Sequence, residues 1–440
     1  MNRRQFLVTT SLAASTVAWG APLAPAYQPA DRFVLSNAGS GRATAYSETN
    51  KVVTVNGKTH ASWLDATAEG FRVRIRSLDH STGTWSEAFT IGEGQDNHGG
   101  PSLTVDSKGY LHVAYYAHNG PMRYRRSLRP NDASEWTRYL EVGEALSYPT
   151  LVCRADDTLL LTGRSYHKTE PWTCQLFTKG KSGNWDEGRA LLQAKEPGYA
   201  QFMDAMAWSP DHQTLHMSFW FYGGDPGIGK TIGYLQSPDG GTTWTGRDGT
   251  PVSLPANEDT VDIVHRMAPD ATAGLRGSRL AVAPDGTPHV LWSDYAPRPQ
   301  TAWLSHPAPD GTWKAVKLNT FLPAAFQDWG LLTPGGVTFN DQGECFVALT
   351  LFKPKEPADQ ATAARPAQDI ALFRSRDGAT TFDCEILPLY EASQNRWLPN
   401  LEVQTGFNTV AEGPGLIFTE GERGDGLNDV LNNKVHWLRM

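Results

Sequence analysis

The sequence predicts an all-β protein, a seven-bladed β-propeller whose ring is closed by N- and C-terminal strands. Three observations predict it. One strand–turn–strand unit recurs seven times, and an aromatic-ended turn follows most of the copies. The composition also favours strands and turns, with 15 Trp, 42 Gly and 29 Pro in 440 residues. Hydrophobic residues make up 40% and charged residues 20%, so a sizeable core is expected and global disorder is excluded. A net charge of -8 argues against nucleic acid as a partner.

Taken from the start, Arg3-Arg4-Gln5-Phe6-Leu7 opens a charged stretch followed by a mild apolar run. With Ala24-Pro25-Ala26 as a cleavage site, residues 1–26 read as a twin-arginine-type export signal. The run is shorter than the roughly 20 residues of a membrane span. The working chain is expected to begin near Tyr27, in the periplasm or secreted. It should be one domain over 27–440 and a monomer with no membrane span. Cys153, Cys174, Cys345 and Cys384 lack C-x-x-C spacing, and buried free thiols are expected rather than a zinc ribbon.

The repeat pairs an apolar strand with a polar Asp/Asn–Gly turn and a second alternating strand. Clear copies occupy 101–116, 205–220, 279–292 and 336–349. The seven centres are His60, His112, Leu160, His216, His289, Phe346 and Leu416. Their spacings are 52, 48, 56, 73, 57 and 70 residues. Ser237-Pro238-Asp239-Gly240-Gly241-Thr242-Thr243-Trp244 is an S-x-D-x-G-x-x-W turn, and 375–382 is a degenerate copy ending in Phe382. Trp85, Trp136, Trp185 and Trp313 end comparable turns. In each, the Asp should hold backbone N–H groups while the aromatic plugs into the sheet. The last unit lacks its turn, and Arg32–Leu35 is expected to supply its outer strand.

Such units carry the residues before the first strand and after the second on one rim. That rule brings His98 and His118 from the second unit beside Tyr148 and Arg164 from the third. Arg holds carboxylates bidentately, and His and Tyr move protons. The set suits proton abstraction next to a carboxylate with loss of a β leaving group, the pattern of a uronic acid in a polysaccharide. His60, His112, His216 and His289 sit mid-strand at one repeat position and read as packing residues. Asn97, Asn119, Tyr199, Tyr222 and Arg266 are expected to hold substrate on the same rim. His265, Tyr295, Asp328, Trp329, Asn395, Arg396 and Trp397 fall at equivalent places. A rim His pair also suits zinc, with His167 or His265 as further ligands.

The stretch from Asp96-Asn97-His98 through His118-Asn119-Gly120 to Ser127 resembles the BNR-repeat group that includes ulvan lyases. More narrowly it is similar to polysaccharide lyase families 24 and 25. The likeness is strongest over 96–166, where His-x19-His and Tyr-x15-Arg fit those enzymes. It implies a seven-bladed propeller that cleaves ulvan, a sulfated algal polysaccharide, at glucuronate or iduronate by β-elimination. It implies that Arg164 neutralises the uronate, and that His98, His118 and Tyr148 share the base and acid roles. It implies Tyr199 or Tyr222 as a substrate-holding tyrosine. No cofactor is implied for the chemistry, and a structural Zn or Ca ion is, with unidentified ligands. Rival readings are a lyase of rhamnose-linked glucuronate in plant gums, a sialidase-like hydrolase, and a non-catalytic sugar-binding propeller. The sialidase reading lacks an Arg triad and an Arg-Ile-Pro-type start.

Overall fold

In the computed structural model the described residues are 32–440 apart from 47, 182, 224–227, 269, 272, 355–366 and 388–393. The export signal expected over 1–26 lies outside them. The protein is all-β, and the two helical elements among the described residues are single 3₁₀ turns at Leu318–Phe321 and Ala324–Phe326. Among the described residues no helix is long and apolar enough to cross a membrane.

The strands group into antiparallel units. The first unit holds Val52–Val55, Lys58–Thr67, Gly70–Asp79 and Phe89–Gly94. The second holds Ser102–Val105, Leu111–Tyr115 and His118–Arg129. Its outer strand is the start of the long strand Leu140–Cys153, where Leu140, Glu141 and Val142 pair with Tyr124, Arg123 and Met122. The rest of that long strand is the inner strand of the third unit, followed by Leu159–Ser165, Thr173–Lys179 and Arg189–Gln193. Four further units span 205–266, 275–317, 330–386 and 395–439. The outer strand of the last is Arg32–Gly39, paired antiparallel with Asn433–Arg439.

Alternation of apolar residues along these strands fills the space between neighbouring units. Val53, Leu64 and Val73 meet Leu103 and Val113 between the first two units. Leu291, Leu304, Val337 and Val347 do the same between the fifth and sixth. Val52 and Trp63 of the first unit pack on Ile417 and Val435 of the last. Cys153, Cys174 and Cys345 are buried, Cys384 is half-buried, and all four are free thiols.

The turn chemistry is the same in both Asp-box copies. Asp239 Oδ1 accepts from the backbone of Thr242 and Thr243, and Ser237 Oγ accepts from Gly241. Asp377 and Ser375 repeat those bonds to Thr380, Thr381 and Ala379. Gly241 has φ +94 and Ala379 has φ +61, so the turn requires the left-handed region whichever residue occupies it. Trp244 and Phe382 are buried. Trp85, Trp136, Trp185 and Trp313 are only half-buried, which corrects the expectation that all six aromatics plug the sheet. Where the Ser/Asp frame is missing, the ring leans on neighbours instead. Trp85 stacks on Phe33, with ring centroids 5.5 Å apart.

The mid-strand histidines are buried and hydrogen-bonded. His60 contacts Ser77 Oγ at 2.7 Å and Asn131 Oδ1 at 2.9 Å, and His216 contacts Tyr234 at 2.6 Å. Burial pushes His60, His216 and His289 down to about 4. An unfolded imidazole takes its proton near 6.5, so stability falls as pH drops from about 6.5 toward 4. At pH 5 His216 alone lowers stability by up to about 2 kcal/mol relative to neutral pH. In His216→Gln the loss of Tm between about pH 7 and pH 5 should therefore be smaller than in the parent. Equal slopes in the two proteins would contradict this account of the buried imidazoles.

Candidate functional site

The long strand Leu140–Cys153 sets the site. Ser147 pairs with His118 on one side and with Arg164 on the other. The register breaks between Ser147 and Thr150, and Tyr148 there has φ +61. This bulge turns the phenol toward the same rim as its two neighbours. Asn119, next to His118, also lies in the left-handed region at φ +59. Its backbone N–H donates to Ser147 Oγ at 2.8 Å.

His98 arrives on a tight loop. Asp96 Oδ1 accepts from the His98 backbone N–H at 2.7 Å, an Asx turn. A Cβ on Gly99 would stand 2.8 Å from Gly94 Cα, and one on Gly100 would stand 2.7 Å from Ala45 O. Glycines therefore let this loop seat against the segment before the first unit, which brings Arg42 and Tyr46 to the site.

The four expected residues are brought together. The His98 and His118 rings stack with centroids 3.8 Å apart. Tyr148 lies 6.1 Å from His98 and 4.6 Å from the Arg164 guanidinium carbon. Asp96 bridges the two imidazoles, accepting from His98 Nδ1 at 2.9 Å and from His118 Nδ1 at 2.7 Å. Arg42 Nη1 donates to His98 Nε2 at 2.5 Å and to the Tyr46 hydroxyl at 2.7 Å. Both His98 ring nitrogens are thus engaged, which assigns it the neutral Nδ1–H tautomer. His118 is half-buried and bonded through Nδ1, which leaves its lone pair on Nε2.

The electrostatics follow from these contacts. Burial opposes ionisation of Asp96, but bonds from His118 and His98 outweigh it and hold its carboxyl below the usual range. Burial pushes His98 below its ordinary value; Asp96 opposes this and Arg42 adds to it. Burial raises the Tyr148 phenol, with the Arg164 charge opposing. The phenol is therefore protonated at neutral pH.

Arg164 is 2% exposed. Nη2 donates to Asn119 Oδ1 at 3.0 Å and Ser147 Oγ at 3.3 Å, and Nη1 to the Tyr199 hydroxyl at 3.4 Å. Its flat face is lined by Tyr148, Trp172 and Tyr199 at 4.6, 4.8 and 5.4 Å. These partners are neutral oxygens and aromatic rings, and no carboxylate pairs with Arg164 among the described residues. A desolvated cation without a counter-ion favours an anionic ligand.

The remaining expected residues divide. Tyr199 is half exposed beside Arg164, and Tyr222 meets it edge-on at 6.0 Å. Asn119 is exposed on this rim, and its Oδ1 accepts from Arg164. Asn97 ties its loop to Gly426 and Leu427 through Nδ2 and its backbone N–H. Arg266 sits on Asp262–Arg266, the outer strand of the fourth unit, beside Thr231, Glu258 and Asp259. Arg396 is buried in ion pairs with Asp369 and Glu420. His265 stacks on Trp292, and His167 contacts Thr173. Sequence reasoning missed Arg42, Tyr46, the bridging role of Asp96, and Trp172.

Asp96, His98 and His118 each offer one ligand atom within 4.8 Å of the others. Both Nδ1 atoms face the carboxylate, and His98 Nε2 faces a guanidinium. A cation there would have to displace these hydrogen bonds and lie beside Arg42, so the donor set fits a proton-handling network better than a metal centre.

The chain is similar to proteins of known activity. A 106-residue segment is 28% identical to "Ulvan Lyase-PL25" of Pseudoalteromonas sp. (strain PLSV), covering 18% of this chain and 21% of that protein. A 75-residue segment is 32% identical to "Ulvan lyase" of Alteromonas sp. (strain LOR), covering 15% of each. The matches thus span about a fifth or less of these relatives. A solved PL25 ulvan lyase bound to -[GlcA(1-4)Rha3S]- superposes with a TM-score of 0.69 at 14% identity, covering 92% of this chain and 95% of that one. At that identity the likeness concerns the fold. Residues 44–321 match the model described as "BNR repeat-containing family member", and this chain belongs to that BNR-repeat family.

Proposed function

We propose that this chain is a polysaccharide lyase that cleaves a uronate-containing, ulvan-type polysaccharide by β-elimination. The observation that carries the reading is Arg164, buried, caged by aromatic rings and lacking a carboxylate partner among the described residues. The ulvan lyases matched over part of the chain support the choice of substrate. We further infer a closed seven-bladed ring forming one domain over 27–440. The apolar packing of the last unit on the first supports this. The Arg3-Arg4 leader supports export to the periplasm or beyond.

In this mechanism Arg164 binds the uronate carboxylate and offsets its charge, which acidifies the C5 proton. His118 Nε2 takes that proton. The C4–O4 bond breaks, the C5 electron pair forms the C4=C5 double bond, and the Tyr148 phenol protonates the departing O4. Proton return from His118 to Tyr148 through solvent resets the site. Asp96 holds His118 in the tautomer that leaves Nε2 free. His98, fixed by Asp96 and Arg42, is a positioning residue that stacks on His118. Tyr199 and Tyr222 offer sugar-stacking faces. The chemistry requires no cofactor.

Incubation with ulvan should produce unsaturated uronate ends with new ultraviolet absorbance. Chain shortening without that absorbance would point to hydrolysis, and unchanged polymer to a binding module; either overturns the reading. Arg164→Ala should lower kcat/KM by about 10²–10³-fold, and Arg164→Lys should rescue little of it because the bidentate fork is lost. Near-parental turnover in Arg164→Ala would remove the proposed role. Tyr148→Phe should lower kcat by about 10²–10⁴-fold with little change in KM. A change confined to KM would make the phenol a binding group instead.

A further inference from the structure

We propose that a second site for an acidic polysaccharide lies at the opposite strand ends of the second and third units, in a basic cleft floored by Asp106, His112 and Tyr124. The inference deepens the proposed function, since the ligand is the polymer that the Arg164 site would cut.

The cleft has a volume of about 480 Å³, within the roughly 300–1,000 Å³ of ordinary ligand sites. Its strands are those that carry the first site. His112 and Arg126 pair across one ladder, and Leu159 and Lys179 across another. Leu159 opens the strand Leu159–Ser165 and Arg164 lies next to its other end, about 17 Å away at roughly 3.3 Å per residue. His118 and Arg126 are separated in the same way by about 26 Å. The two sites are therefore distinct, on opposite ends of a shared frame.

Charge sets the ligand class. Lys108, Arg126, Arg138, Lys179 and Lys181 line the cleft, against Asp106 and Asp157, in a chain of net charge -8. Both acids are engaged. Asp106 accepts from the backbone of Lys108 and Tyr110 and contacts His112 at 3.2 Å. Asp157 accepts from Ser107 and lies 3.6 Å from Lys181. Lys108, Arg126, Arg138 and Lys179 have no ion pair among the described residues. Arg126 lies 4.5 Å over Tyr110, and Lys179 lies 5.9 Å over Tyr124. Burial and the Arg126 charge both pull the Lys179 ammonium down. Two crowded cations over a polar floor suit a chain with repeated sulfate or carboxylate groups. Tyr110 is covered by Arg126, and Tyr124 is buried, with Lys179 over its ring and Trp185 edge-on at 5.3 Å. Neither offers the free stacking face that a nucleic acid would use.

The test uses the full chain as Arg164→Ala, so that ulvan stays intact, with and without Arg126→Ala/Lys179→Ala. Electrophoresis through gels containing ulvan should show affinity lower by about five- to thirty-fold in the cleft variant. The difference should shrink as salt rises. In the otherwise parental chain, the cleft variant should raise KM on long ulvan and leave kcat on a short oligosaccharide unchanged. Unchanged ulvan affinity would overturn the proposal, as would equal cleft-dependent affinity for a polynucleotide. If Arg126→Ala/Lys179→Ala fails to fold, Lys108→Glu/Arg138→Glu, both exposed, must give the same loss. Ulvan bound through the cleft but never cut would sink the lyase reading alone. Ulvan cut normally by cleft variants of undiminished affinity would sink this inference alone.

Discussion

The site depends on one strand serving two sheets. Leu140–Cys153 closes the second unit with its first residues and opens the third with its last. Because Ser147 is paired across to both His118 and Arg164, those side chains cannot drift apart without unzipping a ladder. The bulge at Tyr148 then inserts a phenol between them. A non-glycine residue at φ +61 costs on the order of 1–3 kcal/mol. The cost is offset by packing of Tyr148 against Tyr46 and the Arg164 guanidinium. Rigid strands on both sides give the preorganisation that loops alone would lack.

Charge is placed by the same frame. Burial and the Arg42 charge keep His98 neutral against the opposing pull of Asp96, so the imidazole stack avoids two adjacent positive rings. Arg164 is solvated by neutral oxygens and ring faces, which stabilise a guanidinium without cancelling its field. Two arginines facing one internally bonded carboxylate leave the rim with a surplus of positive charge for an acidic sugar. The basic cleft at the far strand ends follows the same logic at longer range, although the chain as a whole is acidic.

Much of this was legible in the sequence, and the reasons are local. Period-two alternation and Asp–Gly turns are short-range signals, so the repeat stood out and the Asp-box bonds at 237–244 matched their expected form. The rim rule brought His98, His118, Tyr148 and Arg164 to one place because it needs only strand direction. The same rule, extended to the segment before Val52, would have reached Arg42 and Tyr46. Asp96 was visible as a neighbour of His98, but its bridge to His118 depends on a 22-residue return that spacing cannot measure. Arg266 falls at the end of the outer strand of the fourth unit, paired with Thr231 near the Tyr222 end, a strand that spacing alone did not reveal. Asn97 and Asn119 look alike in sequence; one braces a loop and the other braces Arg164. Four tryptophans were expected to plug sheets; without the full Ser/Asp frame they pack against the cores but stay half-buried.

The central claim is that an acidic sugar ring sits with its carboxylate on Arg164 and its C5 hydrogen toward His118. A crystal structure of Tyr148→Phe with a uronate-containing ulvan tetrasaccharide tests it directly. The account predicts a bidentate carboxylate–guanidinium contact, C5 facing His118 Nε2, and the scissile oxygen beside the substituted ring at position 148. A carboxylate bound away from Arg164, or a sugar chain that avoids this rim, would contradict it.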